Sequence, residues 1–473
     1  MSSDMVPPRH DDIPSRPPEA WEPLLRLTRL ATRPLERFLH IQASSGLLLL
    51  AAAAVALILA NSPWAGNYEA FWHTPVGVRI GGFAFERSLE WLVNDALMVI
   101  FFFVIGLEIR REMHHGELAD LRRAALPLAA ALGGMAAPAI IFLALAVPEV
   151  RGGWAVPMAT DIAFAVGILA LLGRRVPTAL RVLLLAVAVI DDLGAIVVIA
   201  LFYSSDFSWS GLLVAALGFL GIFAMQRFGV RSKIAYIVPA VVAWAGIYTA
   251  GIHPTIAGVI VGLVTPVRVW LGPAGFLTGV RSELEQLAER LPAGLSSSEL
   301  AQRLRRVNLA RREAMSPAES LIETLHPWVA YGIMPLFALA NAGVAFSSVT
   351  LDPVTWRLML GIVLGLVLGK LVGVALASWA AVRLGLSALP RGVDGRHVAL
   401  LGLVAGIGFT MALFIAQLAF TDPNQLAAAR LAVLTASGIA GVAAMLFGNL
   451  VLRAPDASAA QPSADEVESQ GAG

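Results

Sequence analysis

Two adjacent aspartates, Asp191 and Asp192, lie in the middle of a long apolar segment, residues 183–202, of this 473-residue chain. A carboxylate is a hard oxygen ligand that suits a hard cation, and it also accepts a proton. Because neighbouring residues of a helix project about 100° apart, the two carboxylates can serve different partners. The pair therefore predicts a site that holds either a metal cation or a proton.

Four more charged residues lie inside apolar segments: Asp95, Asp161, Lys370 and, near the end of its segment, Glu108. Each charge at the centre of a membrane helix costs roughly 2.5–3.5 kcal/mol, so such charges usually face a water-filled cavity. One lysine cannot neutralise three central aspartates, which disfavours an arrangement kept only for packing. Lys370 leaves two alternatives open: a structural counter-ion, or a group that releases its proton when sodium takes its carboxylate partner.

The composition shows which elements must carry these charges. Hydrophobic residues make up 58% of the chain, charged residues only 14%, and the mean hydropathy is +0.75. Soluble domains have about 25% charged residues, so a soluble or disordered protein is excluded. The chain has no cysteine, and its net charge of +1 predicts no nucleic-acid partner. These features indicate an all-α polytopic membrane protein.

Twelve apolar segments are long enough to cross the hydrocarbon core of a bilayer. Open sheet edges cannot be satisfied in lipid, and alternating barrel strands are absent, so we expect helices. The segments are residues 38–60, 89–109, 124–147, 153–173, 178–203, 209–226, 233–250, 252–270, 324–345, 357–382, 397–420 and 426–452. The transmembrane domain is then 36–453, with disordered tails at 1–35 and 454–473.

The basic residues predict the orientation of the chain. Of the 34 lysines and arginines, 28 fall on one set of alternate loops and tails, and five on the other. Basic residues concentrate on the cytoplasmic side, so both termini are predicted to be cytoplasmic. The outside loop 61–88 carries Gly81-Gly82 between two short strand-like runs, which predicts a β-hairpin. The long inside loop 271–320 contains two charged helices, the second capped by Ser298, and is either a solvated linker or a regulatory or membrane-surface element.

Two predicted spans contain residues that interrupt helices. The fourth carries Pro157 before Thr160-Asp161, and the eleventh carries Gly402, Gly406 and Gly408. Each is the middle of a group of three spans, 3–5 and 10–12. Interrupted segments at corresponding positions of two halves are typical of inverted-topology repeats around a transporter binding site.

Seven stretches make the sequence resemble the NhaA family of bacterial sodium/proton antiporters. They run in family order: NDALM at 94–98, GLEIRRE at 106–112, ATDIAF at 159–164, IDDLGA at 190–195, HPWVAY at 326–331, FALANAGV at 337–344 and GIGFTM at 406–411. The resemblance covers residues 35–452, apart from the 271–320 loop.

The resemblance implies roles for the matching residues. Asp191 and Asp192 would bind Na⁺ or Li⁺ and exchange protons, supported by Thr160, Asp161 and Lys370. A cytoplasmic pH-sensing group or funnel would comprise Glu108, Arg111, Glu112, Glu323 and His326. In the alternative interpretation, Glu108, Arg111 and Glu112 form an ordinary solvated helix end. The 61–88 hairpin would join two copies in a homodimer.

We therefore expect an electrogenic, pH-regulated antiporter of the bacterial inner membrane that exports Na⁺ or Li⁺ in exchange for H⁺. Its other partners are membrane lipids, and neither a cofactor nor an enzymatic reaction is expected. Two other classes stay open at this stage. A sodium-coupled symporter would need a pocket with groups for an organic substrate, and an intramembrane aspartyl protease would need its two aspartates on different helices.

Overall fold

The computed structural model describes residues 44–81, 83–204, 208–230, 232–269, 271–290 and 296–452. The predicted tails, 1–35 and 454–473, and Gly82 lie outside these residues. The described chain is mostly helical, as the composition predicts, and its strands belong to one hairpin.

The main helices follow one another with short connections. In chain order they are α1 Ser44–Ala60, α2 Ala65–Trp72, α3 Leu89–His115, α4 Leu121–Leu145, the 3₁₀ helix Pro148–Met158, α5 Ile162–Leu171, α6 Thr178–Phe202, α7 Trp209–Arg227, α8 Lys233–Thr249, α9 Thr255–Val264, α10 Gly272–Arg290, α11 Ser297–Ala314, α12 Pro317–Trp328, α13 Met334–Asn341, α14 Pro353–Arg383, α15 Gly395–Ala405, α16 Phe409–Ala419 and α17 Pro423–Val451. Short 3₁₀ turns lie at Glu117–Ala119, Gly173–Arg175 and Phe346–Ser348, and a π-helical turn, Val329–Ile333, joins α12 to α13.

Each predicted apolar segment coincides with a helix or a pair of helices. Among the described residues, six helices are long and apolar enough to cross a membrane, or nine if each bent pair counts as one span. Several boundaries differ from the sequence expectation by a few residues, and two of them have a clear local cause. In the eighth apolar segment, helix α9 ends at Val264 rather than near residue 270, because Pro266 disfavours helical backbone at the residue before it. The ninth segment begins earlier, at Pro317, because Ser316 and Glu319 form a capping box.

The 61–88 loop forms the predicted hairpin. Strands β1, Pro75–Ile80, and β2, Phe83–Ser88, pair antiparallel in a register that runs from Pro75 opposite Ser88 to Ile80 opposite Phe83. Gly81 in the turn has a φ of +60°, a left-handed conformation that glycine adopts without steric cost. At the base of the hairpin, Arg87 donates a 3.0 Å hydrogen bond to the hydroxyl of Tyr248 in α8.

The long 271–320 loop contains the helical pair α10 and α11. Arg303 of α11 bonds Glu283 of α10 at 3.1 Å, and both side chains are largely buried against each other. The cap of α11 is Ser296 rather than Ser298, because only Ser296 stands three residues before Glu299 and completes a capping box with it.

Glycines allow α4 and α14 to pack closely: a Cβ on Gly373 would lie 2.1 Å from the carbonyl oxygen of Gly133. Small residues on the facing surfaces thus permit close helix contact.

Candidate cation-binding site

Two helix breaks meet in the interior of the protein. The 3₁₀ helix Pro148–Met158 and α5 are bent by 50° at residues 159–161, and α15 and α16 are bent by 46° at residues 406–408. The backbone N–H of Asp161 donates to the carbonyl oxygen of Ile407 at 2.7 Å. Each break therefore satisfies backbone groups of the other, as unwound chain at membrane depth requires. Both predicted interruptions lie where the sequence places them.

Glycine makes the approach of the two breaks possible. A Cβ on Gly408 would lie 3.1 Å from the carbonyl oxygen of Ala159 in the opposite break. A Cβ on Gly406 would lie 2.5 Å from the carbonyl oxygen of Leu366 in α14. Real Cβ atoms do not approach another atom to 2.5 Å, and a 3.1 Å contact is tighter than most, so glycine serves here for close contact rather than for an unusual φ.

Asp191 of α6 lies beside this crossing and is linked to both broken segments. Its Oδ2 accepts a 2.6 Å hydrogen bond from the Thr160 hydroxyl and pairs with the Lys370 ammonium of α14. The Thr160 hydroxyl also lies 2.9 Å from the carbonyl oxygen of Ala405, at the end of α15. A hydroxyl has one proton and can donate to only one of these oxygens at a time.

The second oxygen of each paired aspartate has no such partner. Asp191 and Asp192 are both 2% exposed, and among the described residues their Oδ1 atoms accept no hydrogen bond. A buried polar atom without a partner costs about 1–3 kcal/mol, and more when charged. Two such oxygens on adjacent residues are therefore open to a cation or a proton.

Lys370 is positioned by an irregular part of α14. It directly follows a π-helical turn, Gly365–Gly369, a local distortion that is frequent at functional sites. Its side chain is 1% exposed and runs past Gly134 of α4, where an added Cβ would lie 3.9 Å from Nζ. The lysine reaches Asp191 and balances one of the two paired carboxylates.

Asp161 differs from its neighbours because its carboxylate is fully occupied. Oδ1 accepts from the backbone N–H of Phe164 and caps α5, while Oδ2 accepts from the hydroxyl of Thr410 at 2.5 Å and from its backbone N–H at 3.2 Å. The residue clamps the two breaks together. It directly follows Thr160, the partner of Asp191, but its own oxygens are already satisfied by protein groups.

The predicted cytoplasmic group extends from the site along α3. Glu108 acts electrostatically on Asp192 and on Arg111, and Arg111 acts in turn on His326 of α12. Glu112 accepts a 2.7 Å hydrogen bond from the backbone N–H of Glu117 and so supports the turn after α3. Glu323 is exposed on the surface of α12. The structure thus connects three members of the group, gives Glu112 a local contact, and leaves Glu323 at the surface.

Asp95 has a partner that sequence reasoning did not identify. It lies in a π-helical turn at the start of α3, 3.8 Å from Nε2 of His253, whose Nδ1 contacts the Thr255 hydroxyl at 2.8 Å. The signal was present in the sequence, since His253-Pro254 forms the tight connection between two apolar segments.

A buried amide network lies next to Asp95. Asn94 and Asn341 exchange hydrogen bonds through their side chains at 2.7 and 3.2 Å, and Asn94 also donates to Gln417 of α16. Arg430 of α17 donates to Asn341 at 3.1 Å and lies 3.5 Å from Glu90. The network joins four helices at their ends near the β-hairpin.

Residues 36–447 match the family described as Na⁺/H⁺ antiporter 1. The chain is 67% identical over 453 residues, 96% of each chain, to a protein of Myxococcus xanthus strain DK1622 named Na(+)/H(+) antiporter NhaA 2. The chain belongs to the NhaA family of Na⁺/H⁺ antiporters. An NhaA 2 of Sorangium cellulosum strain So ce56 is 56% identical over 459 residues, 97% of this chain and 98% of that one. A third NhaA 2, from Pseudomonas putida strain KT2440, is 49% identical over 434 residues, 90% of this chain and 95% of that one.

Membership confirms the resemblance seen in the sequence. The NhaA family is one of multi-pass membrane transporters that exchange Na⁺ and H⁺, not of enzymes. The match includes both helix breaks, the Asp191-Asp192 pair and Lys370, and its end at residue 447 lies within α17.

Proposed function

We propose that this chain is an electrogenic antiporter that exports Na⁺ or Li⁺ across a bacterial inner membrane in exchange for external protons. The observation that carries the proposal is the pair of buried, unpartnered Oδ1 atoms on Asp191 and Asp192, beside a lysine and two helix breaks. Membership in the NhaA family supports Na⁺/H⁺ exchange in general. The Li⁺ transport, the charge movement and the pH regulation are parts of the proposal.

The two Oδ1 atoms supply the first ligands for the transported cation. Oδ2 of Asp191 is shared between Lys370 and Thr160, so a cation at Oδ1 weakens the hold of the lysine by adding positive charge. Lys370 then either stays as a counter-ion or releases its own proton, and both alternatives remain. When Asp191 is protonated, it donates to the Thr160 hydroxyl, which then donates to the carbonyl oxygen of Ala405. The hydrogen bonding of the break after α15 therefore changes with the occupancy of the site.

Coupling follows from the cost of moving charge through a dry interior. With one cation or one proton bound, the two carboxylates and Lys370 carry no net charge, and the site can change its access from one side to the other. The empty site keeps two carboxylates against one lysine, and this unbalanced charge opposes the change. If more protons enter than sodium ions leave, each net charge carries about 2.3 kcal/mol per 100 mV.

The proposed topology is twelve membrane spans with both termini in the cytoplasm and inverted repeats formed by spans 3–5 and 10–12. It is supported by the 28-to-five distribution of basic residues and by the two breaks, bent by 50° and 46°, that meet at the site. The 61–88 hairpin is proposed as the homodimer contact. An isolated two-stranded hairpin is marginally stable, so a partner surface would stabilise it.

We propose that Glu108, Arg111 and His326 mediate the pH regulation. Glu112 and Glu323 lie at the cytoplasmic end of this row of charged residues. Glu108 is the link, because its charge acts on both Asp192 and Arg111. A charge change at the cytoplasmic end of this row alters the field at the cation site. The group also provides a polar route for the cation.

The test is sodium-driven proton flux in vesicles that contain the purified protein and no organic solute. Asp191→Asn and Asp192→Asn keep the side-chain size and remove the charge, so each should abolish the flux while the protein still inserts. Asp352→Asn is the matched control, since Asp352 is an exposed helix cap and asparagine caps equally well.

Normal flux in either site variant would overturn the assignment of the site. Flux that appears only when an organic solute is added would favour the symporter, and cleavage of a peptide by the purified protein would favour the protease.

A further inference from the structure

The helical pair α10–α11 is an unusual element of this molecule. Its two helices pack mainly on each other, through Glu283 with Arg303 and Arg306 and through Gln286 with Arg303. Among the described residues, no other helix packs extensively against either of them. α11 ends at Ala314, and only two residues separate it from Pro317, where a helix of the transmembrane domain begins. The pair is therefore tethered at its base to the transmembrane domain and otherwise unsupported.

Each helix of the pair exposes two leucines beside its packed face. Leu277 and Leu284 are 66% and 56% exposed, and Leu300 and Leu304 are 43% and 50% exposed. Glu283 and Arg303 face each other across the pair, and Leu284 and Leu304 directly follow them in the sequence. Each leucine is therefore rotated about 100° around its own helix axis, in the same sense, from the side that faces the other helix. In an antiparallel pair, equal rotations from the contact point to the same side. The four leucines therefore form one apolar face, which we name the leucine face.

The charge around the leucine face is basic. Arg281 lies one turn after Leu277 with its side chain 82% exposed and pairs with Glu285 at 2.8 Å, and the exposed Arg311 lies two turns after Leu304 on α11. Residues 297–314 contain five arginines and two glutamates. Leucines flanked by arginines match the boundary between acyl chains and headgroups, where arginine reaches the phosphates and leucine enters the hydrocarbon.

We propose that the leucine face lies on the cytoplasmic leaflet of the membrane and binds anionic phospholipid. Two observations and the predicted orientation select lipid as the occupant. The observations are the net positive charge of α11 and the short connection to a helix of the transmembrane domain, and the predicted orientation puts the loop on the side that carries 28 of the 34 basic residues. Anionic lipids of this leaflet attract basic segments next to spans. The inference goes beyond the proposed ion exchange and depends only on the cytoplasmic position of the loop.

The absence of cysteine from the chain makes a direct test possible. Leu277→Cys and Leu304→Cys place a spin label on the leucine face of the full-length protein. Leu309→Cys is the matched control, since Leu309 is 51% exposed on the same helix but about 140° around it from Leu304. Each protein is placed in vesicles of neutral phosphatidylcholine, and in vesicles of which about a third is anionic phosphatidylglycerol.

Collision rates with oxygen, which dissolves in lipid, and with a water-soluble nickel chelate report the surroundings of each label. In anionic vesicles we expect the nickel rate to fall severalfold and the oxygen rate to rise at residues 277 and 304, with residue 309 unchanged. Arg281→Gln with Arg311→Gln, in the same labelled chains, should remove most of the difference between the two lipids.

Two results would overturn the proposal. One is a nickel rate at residues 277 and 304 that stays as high as at residue 309 in anionic vesicles. The other is protection of these labels that increases with the ratio of protein to lipid and does not depend on lipid charge. That result would mean that the leucine face is a contact between copies of the chain. None of these measurements requires transport, so a failure of the proposed ion exchange would be seen separately.

Discussion

Replacing Lys370 by methionine tests the charge balance of the site through protein stability. Lys370 and Asp191 form an ion pair whose side chains are each 1% exposed. Methionine keeps most of the buried volume, so the packing loss should stay below about 1.5 kcal/mol. Removing one partner of a buried pair costs about 3–5 kcal/mol, because the other charge is left uncompensated. Asp191 would keep only the hydrogen bond from Thr160.

The loss should depend on pH with a definite sign. At alkaline pH the remaining carboxylate is charged, and Lys370→Met should lower the free energy of unfolding by about 3–5 kcal/mol. The penalty comes from the uncompensated charge, so it should shrink toward the packing loss alone wherever acid pH neutralises that charge. Unfolding in mixed detergent micelles, followed by tryptophan fluorescence at several pH values, measures this difference.

The double variant with Asp191→Asn provides the control. With both charges removed, it should be more stable at alkaline pH than Lys370→Met alone, by roughly 2 kcal/mol or more. The reasoning would be refuted if Lys370→Met stayed within about 0.5 kcal/mol of the wild type at alkaline pH. Voltage dependence of transport in the same variant separates the two roles: electroneutral exchange would show that Lys370 also carries a transported proton.

Three further changes test other contacts. Glu112→Gln keeps an acceptor for the backbone N–H of Glu117 and removes the charge, so the activity-versus-pH curve should move along the pH axis with alkaline activity preserved; an unmoved curve, measured as sodium-driven proton flux, would make Glu112 an ordinary helix end. Thr410→Val removes the hydroxyl bond to Asp161 and should cost about 1.5–3 kcal/mol of unfolding free energy, whereas Thr410→Ser should cost much less. Asn341→Ala leaves the Asn94 amide with Gln417 alone and should cost about 1–3 kcal/mol, and a loss below about 0.5 kcal/mol would mean that the amide network contributes little.

The sequence predicts the helices and the crossing breaks well because both depend on local pattern. Long apolar runs must be helical in lipid, and Pro157 or Gly406-Ile407-Gly408 weakens a helix wherever it stands. The adjacent aspartates were identifiable for the same reason, since charge in an apolar run is visible without a fold.

Pairing between distant residues was not predictable in this way. Asn94 and Asn341 are 247 positions apart, and nothing in either motif shows that the two amides meet. Asp161 was grouped with the cation site, yet one of its oxygens caps α5 locally at Phe164, and the other is taken up by Thr410, which only the crossing of the breaks brings within reach. By contrast, the cap at Ser296 could have been identified, because the capping-box spacing to Glu299 is present in the sequence.

The central claim is that a cation and protons compete for the free oxygens of Asp191 and Asp192. Calorimetric titration of the purified protein with sodium, in two buffers of different ionisation enthalpy and at several pH values, counts the protons released for each ion bound. A site that must lose protons to bind a cation binds it more weakly as the pH falls. The account predicts proton release on binding, a half-saturating sodium concentration that rises as the pH falls, and no binding heat in Asp191→Asn. Sodium binding without proton release, at a half-saturating concentration independent of pH, would contradict it.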